Sequence, residues 1–191
     1  VSIKQESARH SGSLSPEFAL LGFLIAGPSH GYDLHQRFVT ELGSVWHLSQ
    51  SQAYAILKRL ENHGDISSQT VEQEKLPDRQ KLRITAAGRR RFTDWLENNT
   101  SRNSRSIRLE FLTRLYFTNL YNPEKNSTIY AAQCAEIKNE ISRIETMLAH
   151  LPPDQTFNRL SLDLRLRQMK LIQDWMAEIK KQFHITARDA Q

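Results

Sequence analysis

Between Leu48 and Gly64 the sequence reads LSQSQAYAILKRLENHG, and this stretch carries the marks of one helix from start to stop. Ser49 precedes Gln52 by three residues, the capping-box spacing that satisfies free amides at a helix start. Ala53, Ile56, Leu57 and Leu60 then fall on one face at helical spacing, and Gly64 stands where a helix C-terminus is expected. Ser51, Tyr54, Ala55, Lys58 and Asn62 fall on the opposite face. That face is small and polar, with one aromatic ring and one cation, so it can enter a DNA major groove without a steric wall. Alone, the pattern is that of an ordinary amphipathic surface helix. Its neighbours change the reading.

Upstream, Glu17 to Ala26 is short and mostly apolar and stops at Gly27-Pro28, because proline disfavours helix in the residue before it. His30-Gly31-Tyr32-Asp33 opens a second helix that runs to about Leu42, with Leu34, Phe38 and Leu42 on its buried stripe. Gly43 to His47 is the turn before the helix described above, so the pair is a helix-turn-helix. Downstream, Asp65 to Glu74 is polar and partly β-branched and suits an exposed edge strand. Lys75 to Arg79 is a turn, and Gln80 to Thr85 alternates Lys81 and Arg83 outward with Leu82 and Ile84 inward. A hairpin in this position makes a winged helix. Lys75, Arg79, Lys81 and Arg83 on it are placed to meet phosphates flanking a groove. Charge on a hairpin edge also guards against aggregation, but that does not account for its uniform sign on the return strand.

The segments GPSHGYDL, SQSQAYAILKRLENHGDI and DRQKLRITAAGRR resemble the PadR family of bacterial winged-helix transcription regulators. The resemblance covers about Glu17 to Leu96 and is weaker in the C-terminal half. His30-Gly31-Tyr32 is similar to the HGY motif at the start of the second helix. Tyr54, Leu57, Arg59, Leu60, Glu61 and Gly64 are similar to the Y-x-x-L-x-R-L-E-x-x-G core of the recognition helix, and Thr85, Gly88 and Arg89 to the T-x-x-G-R motif closing the wing. Two stretches depart from the family. Gln50-Ser51-Gln52-Ala53-Tyr54 stands where the family has P-G-T-L-Y, and Lys81-Leu82-Arg83 where it often has K-Y-Y. These departures bear on base preference, because they fall on groove contacts. The resemblance implies a repressor that dimerises through its C-terminal helices.

The 191 residues allow one domain or two small ones. The expected organisation is a flexible arm (1–14), a winged-helix DNA-binding domain (15–97), a polar linker (98–106) and a helical dimerisation domain (107–191). The fold class is thus mainly α with a small β-hairpin wing. The arm is Ser-rich, and disorder rather than DNA contact is expected for its Lys4, Arg9 and His10. No segment approaches the length of a membrane span, and the N-terminus has no signal-peptide pattern. A single cysteine, Cys134, excludes an intrachain disulfide framework and fits a reducing cytoplasm. The net charge of +5 is modest for a DNA binder. From Ser49 to Phe92, however, nine lysines or arginines face five aspartates or glutamates, the local enrichment that phosphate binding requires.

Ala86 to about Asn98 is a linking helix with Phe92, Trp95 and Leu96 on its apolar side, and its Arg89-Arg90-Arg91 is either a continuation of the phosphate-facing surface or a solvated face. Ile107 to Leu120 is a helix expected to bury Phe111, Leu112, Leu115, Tyr116 and Leu120. Beyond Asn122-Pro123, Tyr130, Cys134, Ile137, Ile141, Ile144, Leu148 and Leu151 recur at alternating spacings of four and three, a heptad seam. The last helix, about Asn158 to Phe183, carries one stripe of Leu162, Leu166, Met169, Ile172, Met176, Ile179 and Phe183 and a second of Leu164, Leu171 and Trp175. Two helices alone do not cover this much apolar surface, so the seam and first stripe are expected to form a homodimer interface, with a self-contained antiparallel hairpin as the alternative.

No HExxH pair, Walker A loop, GxGxxG or cysteine-rich zinc pattern is present, so no enzyme, metal site or cofactor is expected. The expected function is a sequence-specific regulator that binds duplex DNA as a homodimer at an inverted repeat. A winged-helix adaptor for protein contacts is the alternative. The residues expected at DNA are His30, Tyr32, Ser49, Gln50, Ser51, Gln52, Tyr54 and Lys58 with the four wing cations. Trp46, Trp95, Trp175, Tyr116 and Phe111 are candidates for an effector pocket, against core packing for each. Trp95 with Phe92 is the pair expected to take a flat aromatic effector.

Overall fold

The computed structural model describes residues 14–71, 79–97, 102–183 and 185. Residues 1–13 of the expected arm, 72–78 of the wing and 98–101 of the expected linker lie outside them. The chain divides into two compact units, Val1–Trp95 and Leu96–Gln191.

The first unit contains α1 (Glu17–Ile25), β1 (Ser29–His30), α2 (Gly31–Leu42), α3 (Gln50–Asn62), β2 (Ile66–Val71), β3 (Arg79–Ile84) and most of α4 (Ala86–Glu97). It is a winged helix-turn-helix. α1 is its centre, and Ala19, Leu20, Leu21, Phe23 and Leu24 are all buried. Leu34, Phe38 and Leu42 of α2 pack inward at the expected spacing, as do Ala53, Ile56, Leu57 and Leu60 of α3. Phe23 meets Phe38 edge-on at 6.4 Å. The strands form an antiparallel sheet of order β1-β3-β2. β1 was not expected, because two residues between a proline and a helix show no periodicity. Arg79, expected in the turn, instead opens β3 and pairs with Val71.

The second unit begins with α5 (Ser104–Ser106), inside the expected linker, with the Asn103 side chain accepting from the Ser106 amide at 2.8 Å. A π-helical turn (Ile107–Phe111) leads into α6 (Leu112–Tyr121), and a 3-10 turn (Pro123–Lys125) precedes α7 (Asn126–Ala149) and α8 (Thr156–Gln182). The π turn inserts a residue and rotates the faces of α6 about the helix axis. Phe111 and Leu115 are buried as expected, but Leu120 is exposed, Leu112 and Tyr116 are half-buried, and Leu109 and Phe117 are buried in their place.

α8 turns back along α7, and the core between them corrects the expected interface. Ile137, Ile141 and Ile144 are buried within one chain, together with Leu162, Met169 and Met176. Tyr130, Cys134, Leu148 and Leu166 pack at the edge of this cluster. Six of the residues expected between two copies, Ile137, Ile141, Ile144, Leu162, Met169 and Met176, are thus the interior of a helical hairpin. Ile107, Phe111 and Leu115 supply the cover that two helices alone lack. Of the expected second stripe of α8, Trp175 packs against this core, whereas Leu164 and Leu171 are 57% and 70% exposed and share an uncovered face with Phe157 at 86% and Leu160 at 60%.

A buried carboxylate ties the hairpin. Arg143 forks onto Glu140 with both bonds at 2.8 Å, and Arg165 of α8 donates to it at 3.0 Å. The Arg143 hydrogen bond, supported by the charges of Arg143, Arg165 and Arg102, holds this carboxyl below its usual 4.5 against the opposing effect of burial. A carboxyl with a lowered folded value stabilises the fold above its unfolded value and loses that contribution as pH falls through the folded one. Glu140→Gln is therefore expected to lower Tm at neutral pH and to remove part of the decline in Tm below pH 4.5. An acid limb of Tm against pH unchanged by the substitution contradicts this.

Candidate nucleic-acid interface

Both ends of α3 are built as the sequence requires. The Ser49 hydroxyl accepts from the Gln52 amide at 3.3 Å, and the Ser49 amide donates to the Gln52 side chain at 3.0 Å. At the other end Gly64 takes a φ of +74°, a backbone shape that a side chain disfavours. It lets the Asp65 amide reach Leu60 O and its own amide reach Glu61 O, both at 2.9 Å. Ser49 and Gln52 are thus engaged in the cap. Gln50, Ser51, Tyr54 and Lys58 stand exposed on the outer face. Tyr54 lies against the start of α2, its ring edge 3.0 Å from where a side chain at Gly31 would begin, and Tyr32 is exposed beside that glycine.

The remaining motif residues hold the helix in place. Arg59 donates to Glu17 of α1 at 2.9 Å. Glu61 accepts from the Ser68 hydroxyl of β2, and this bond holds its carboxyl below the usual range, with a smaller contribution from Lys58. Lys58 stands 3.4 Å from Glu61 but is 71% exposed, so the pair is weak and the ammonium remains available.

In the wing, β3 places Leu82 and Ile84 in the core and Lys81 and Arg83 in solvent. Across the ladder Lys81 faces Gln69 and Arg83 faces Ser67, so the exposed face carries these cations among neutral polar partners. Lys75 lies outside the described residues, and Arg79 sits at the period that continues Lys81 and Arg83. The His30 ring is committed to the wing: Nδ1 donates to Gln80 O at 3.0 Å. The arginine run of α4 divides. Arg89 and Arg90 are exposed, whereas Arg91 turns inward to Asp65 and Glu17 and lies over the Phe18 ring at 5.0 Å. The spacing carried a signal for this, since Arg91 falls three after buried Gly88 and four before Trp95.

Trp95 is stacked on Phe18, with ring centroids 4.6 Å apart and planes 3° from parallel, and Phe92 is buried. Of the expected effector pair, Phe92 is thus in the core and one face of the half-buried Trp95 is covered by Phe18. Trp46 is buried in the first unit's core, Trp175 meets Phe111 edge-on at 6.5 Å, and Tyr116 meets Phe117 edge-on at 4.9 Å. Among the described residues no group of His, Cys, Asp and Glu is placed to hold a metal ion, and no helix is long and apolar enough to cross a membrane.

Residues 20–94, which span the helix-turn-helix and the wing, match the family described as the transcriptional regulator PadR-like family. The winged-helix unit is PadR-like. It is 27% identical over 129 residues to the negative transcriptional regulator PadR of Bacillus subtilis (strain 168), a match spanning 68% of this chain and 70% of that protein. Among solved structures it is similar to Bacillus subtilis PadR in complex with operator DNA, at 26% identity and a TM-score of 0.44, covering 85% of this chain and 94% of that one. It is also similar to the PadR-like regulator BC1756 from Bacillus cereus, at 22% identity and a TM-score of 0.41, covering 91% and 98% of the two chains. The matched family and the matched relative are both transcriptional regulators.

In this PadR-like unit the T-x-x-G motif is a clamp. The Thr85 hydroxyl donates to Gly64 O at 2.7 Å and accepts from the Gly88 amide at 3.1 Å. It joins the exit of α3 to the start of α4, with the return strand of the wing ending beside it. The role of these residues is not legible in the sequence, because the contact joins segments some 20 residues apart.

Proposed function

We propose that this protein is a repressor that reads an inverted-repeat operator in duplex DNA as a homodimer. The observation that carries the proposal is the exposure of the polar face of α3 together with the cations of the wing. Gln50, Ser51, Tyr54 and Lys58 project from α3, and the solvent-facing cations of β3 belong to the wing next to it in the chain. A recognition helix reads base edges with its N-terminal part, and a wing of cations meets the sugar-phosphate backbone. Similarity to a negative regulator supports repression. The uncovered apolar stripe of α8 supports the dimer, since four large apolar side chains in water along one helix suit a second copy. No effector is part of the proposal, because Trp95 and Phe92 are packed.

Alanine variants test it. Lys81→Ala and Arg83→Ala are each expected to weaken binding to all duplexes alike and to flatten the plot of log affinity against log salt by about one unit per lost phosphate contact. Ser51→Ala and Gln50→Ala are expected to change base preference, at a cost of roughly 1–3 kcal/mol where a base contact is lost. Wing variants that alter sequence preference while helix variants act uniformly reverse the assignment. A winged helix used for protein contacts alone predicts no duplex binding at any salt concentration.

A further inference from the structure

His35 occupies a core position of α2, one turn after Gly31 and beside buried Leu34 and Phe38, where a leucine would pack. Its Nε2 lies 3.0 Å from the carbonyl oxygen of Leu48. A carbonyl only accepts, so Nε2 carries a hydrogen and donates it. Nδ1 is buried and has no hydrogen-bond partner among the described residues. A buried ring nitrogen without a partner costs stability. A polar ring kept here at that cost points to a role other than packing.

The role lies in the identity of Leu48, the residue directly before the cap of α3. Val45 and Trp46 donate back to Leu42 O, each at 2.9 Å, and close the end of α2. From Trp46 to Ser49 the chain then crosses to α3 without regular secondary structure. His35 fastens that crossing to the body of α2 at its last residue before the cap. The wing is tied to the other end of α3, through Ser68 on Glu61 and Thr85 on Gly64. The two ends of the recognition helix are therefore held by separate devices.

We propose that His35 is a positioning residue for sequence discrimination: by holding Leu48 it sets where the first turn of α3, with Gln50, Ser51 and Tyr54, lies relative to α2. This rests on the DNA-reading function proposed above. Loss of the tie lets the base-reading end shift and leaves the phosphate-binding wing in place. The result is a drop in specificity at unchanged non-specific affinity.

The test uses the full chain, a duplex that the wild-type protein enriches from a random-sequence library, and the unselected duplex pool of the same length. Three variants separate the tie from packing. His35→Leu fills the space without a donor. His35→Gln places an amide nitrogen where Nε2 stands. His35→Asn places it where Nδ1 stands, short of Leu48. The ratio of enriched to unselected affinity is expected to fall roughly tenfold in the Leu and Asn variants and to stay within about threefold of wild type in the Gln variant. Affinity for the unselected pool and its salt slope should not change. Hydrogen exchange of the Gln50 to Ala53 amides in the free protein should accelerate in the Leu and Asn variants and not in the Gln variant. A Leu variant that keeps the ratio, or a Gln variant that falls as far as Leu, overturns the proposal. A wild-type protein that enriches no sequence overturns the DNA-reading function, while the exchange measurement still decides whether His35 holds the head of α3.

Discussion

An aspartate in place of Ile144 is expected to unfold the helical unit, whereas an aspartate in place of Leu164 or Leu171 is expected to leave it folded and make it monomeric. Ile144 is fully buried in the core shared by α7, α8 and the segment around Phe111. A carboxylate there loses its hydration among apolar side chains, a penalty of about 4 kcal/mol before the lost apolar contacts are added. That is a large part of the whole stability of a unit this size. Leu164 and Leu171 stand 57% and 70% exposed on the outer stripe of α8, so charge there costs the isolated chain little. In a dimer built on that stripe the same charge is buried and unpaired. Circular dichroism and sedimentation separate the outcomes: Ile144→Asp loses helix and its cooperative melt, and Leu164→Asp keeps both at half the mass. A folded Ile144→Asp protein contradicts the core described here. A Leu164→Asp, Leu171→Asp double variant that remains dimeric removes the outer stripe from the interface.

Gly88→Ala is expected to be nearly as damaging to the first unit. A methyl group at Gly88 would lie 2.0 Å from the carbonyl oxygen of Asp65, far inside any contact distance, and the atom it meets is backbone. Relief requires α4 to move off the exit of α3. That movement pulls on the Thr85 bonds to Gly64 and Asp65 and on the ion pair of Arg91 with Asp65. Overpacking of this kind costs about 3 kcal/mol, which for a unit of this length is a drop in Tm of roughly 10–20 °C. Because the clamp also anchors the wing, DNA affinity should fall with it. A Gly88→Ala protein that melts within a degree or two of wild type shows that α4 does not close on Asp65 as described.

The parts of this molecule legible in the sequence are those whose signal is local. The capping box at Ser49 and Gln52, the stop at Gly64 and the inward alternation of Leu82 and Ile84 are written in neighbouring residues, and each is found where it was expected. What was hidden depends on partners distant in the chain or on a break in periodicity. The π turn at Ile107–Phe111 has no composition of its own, yet it decides that Phe117 and not Leu120 is covered. The heptad seam of α7 shows that a face must be covered and is silent on which chain covers it; the answer is α8 of the same chain. The inward turn of Arg91 and the hold of His35 on Leu48 are pairings across 26 and 13 residues. A run of arginines or a lone histidine in a helix does not announce them.

If α3 and the wing form one DNA-reading surface, used twice in a dimer, binding must depend on sequence, on site number and on salt together. The decisive experiment is the affinity of the wild-type protein for an enriched duplex, for one half-site of that duplex and for an unselected duplex, each over a range of salt concentrations. Two protomers are expected on the full site, with much weaker binding to the half-site and log affinity that falls linearly with log salt on every duplex. A preference of at least about a thousandfold for the enriched over the unselected sequence is also expected. Equal affinity for all three duplexes, or binding that does not respond to salt, contradicts a paired DNA-reading surface.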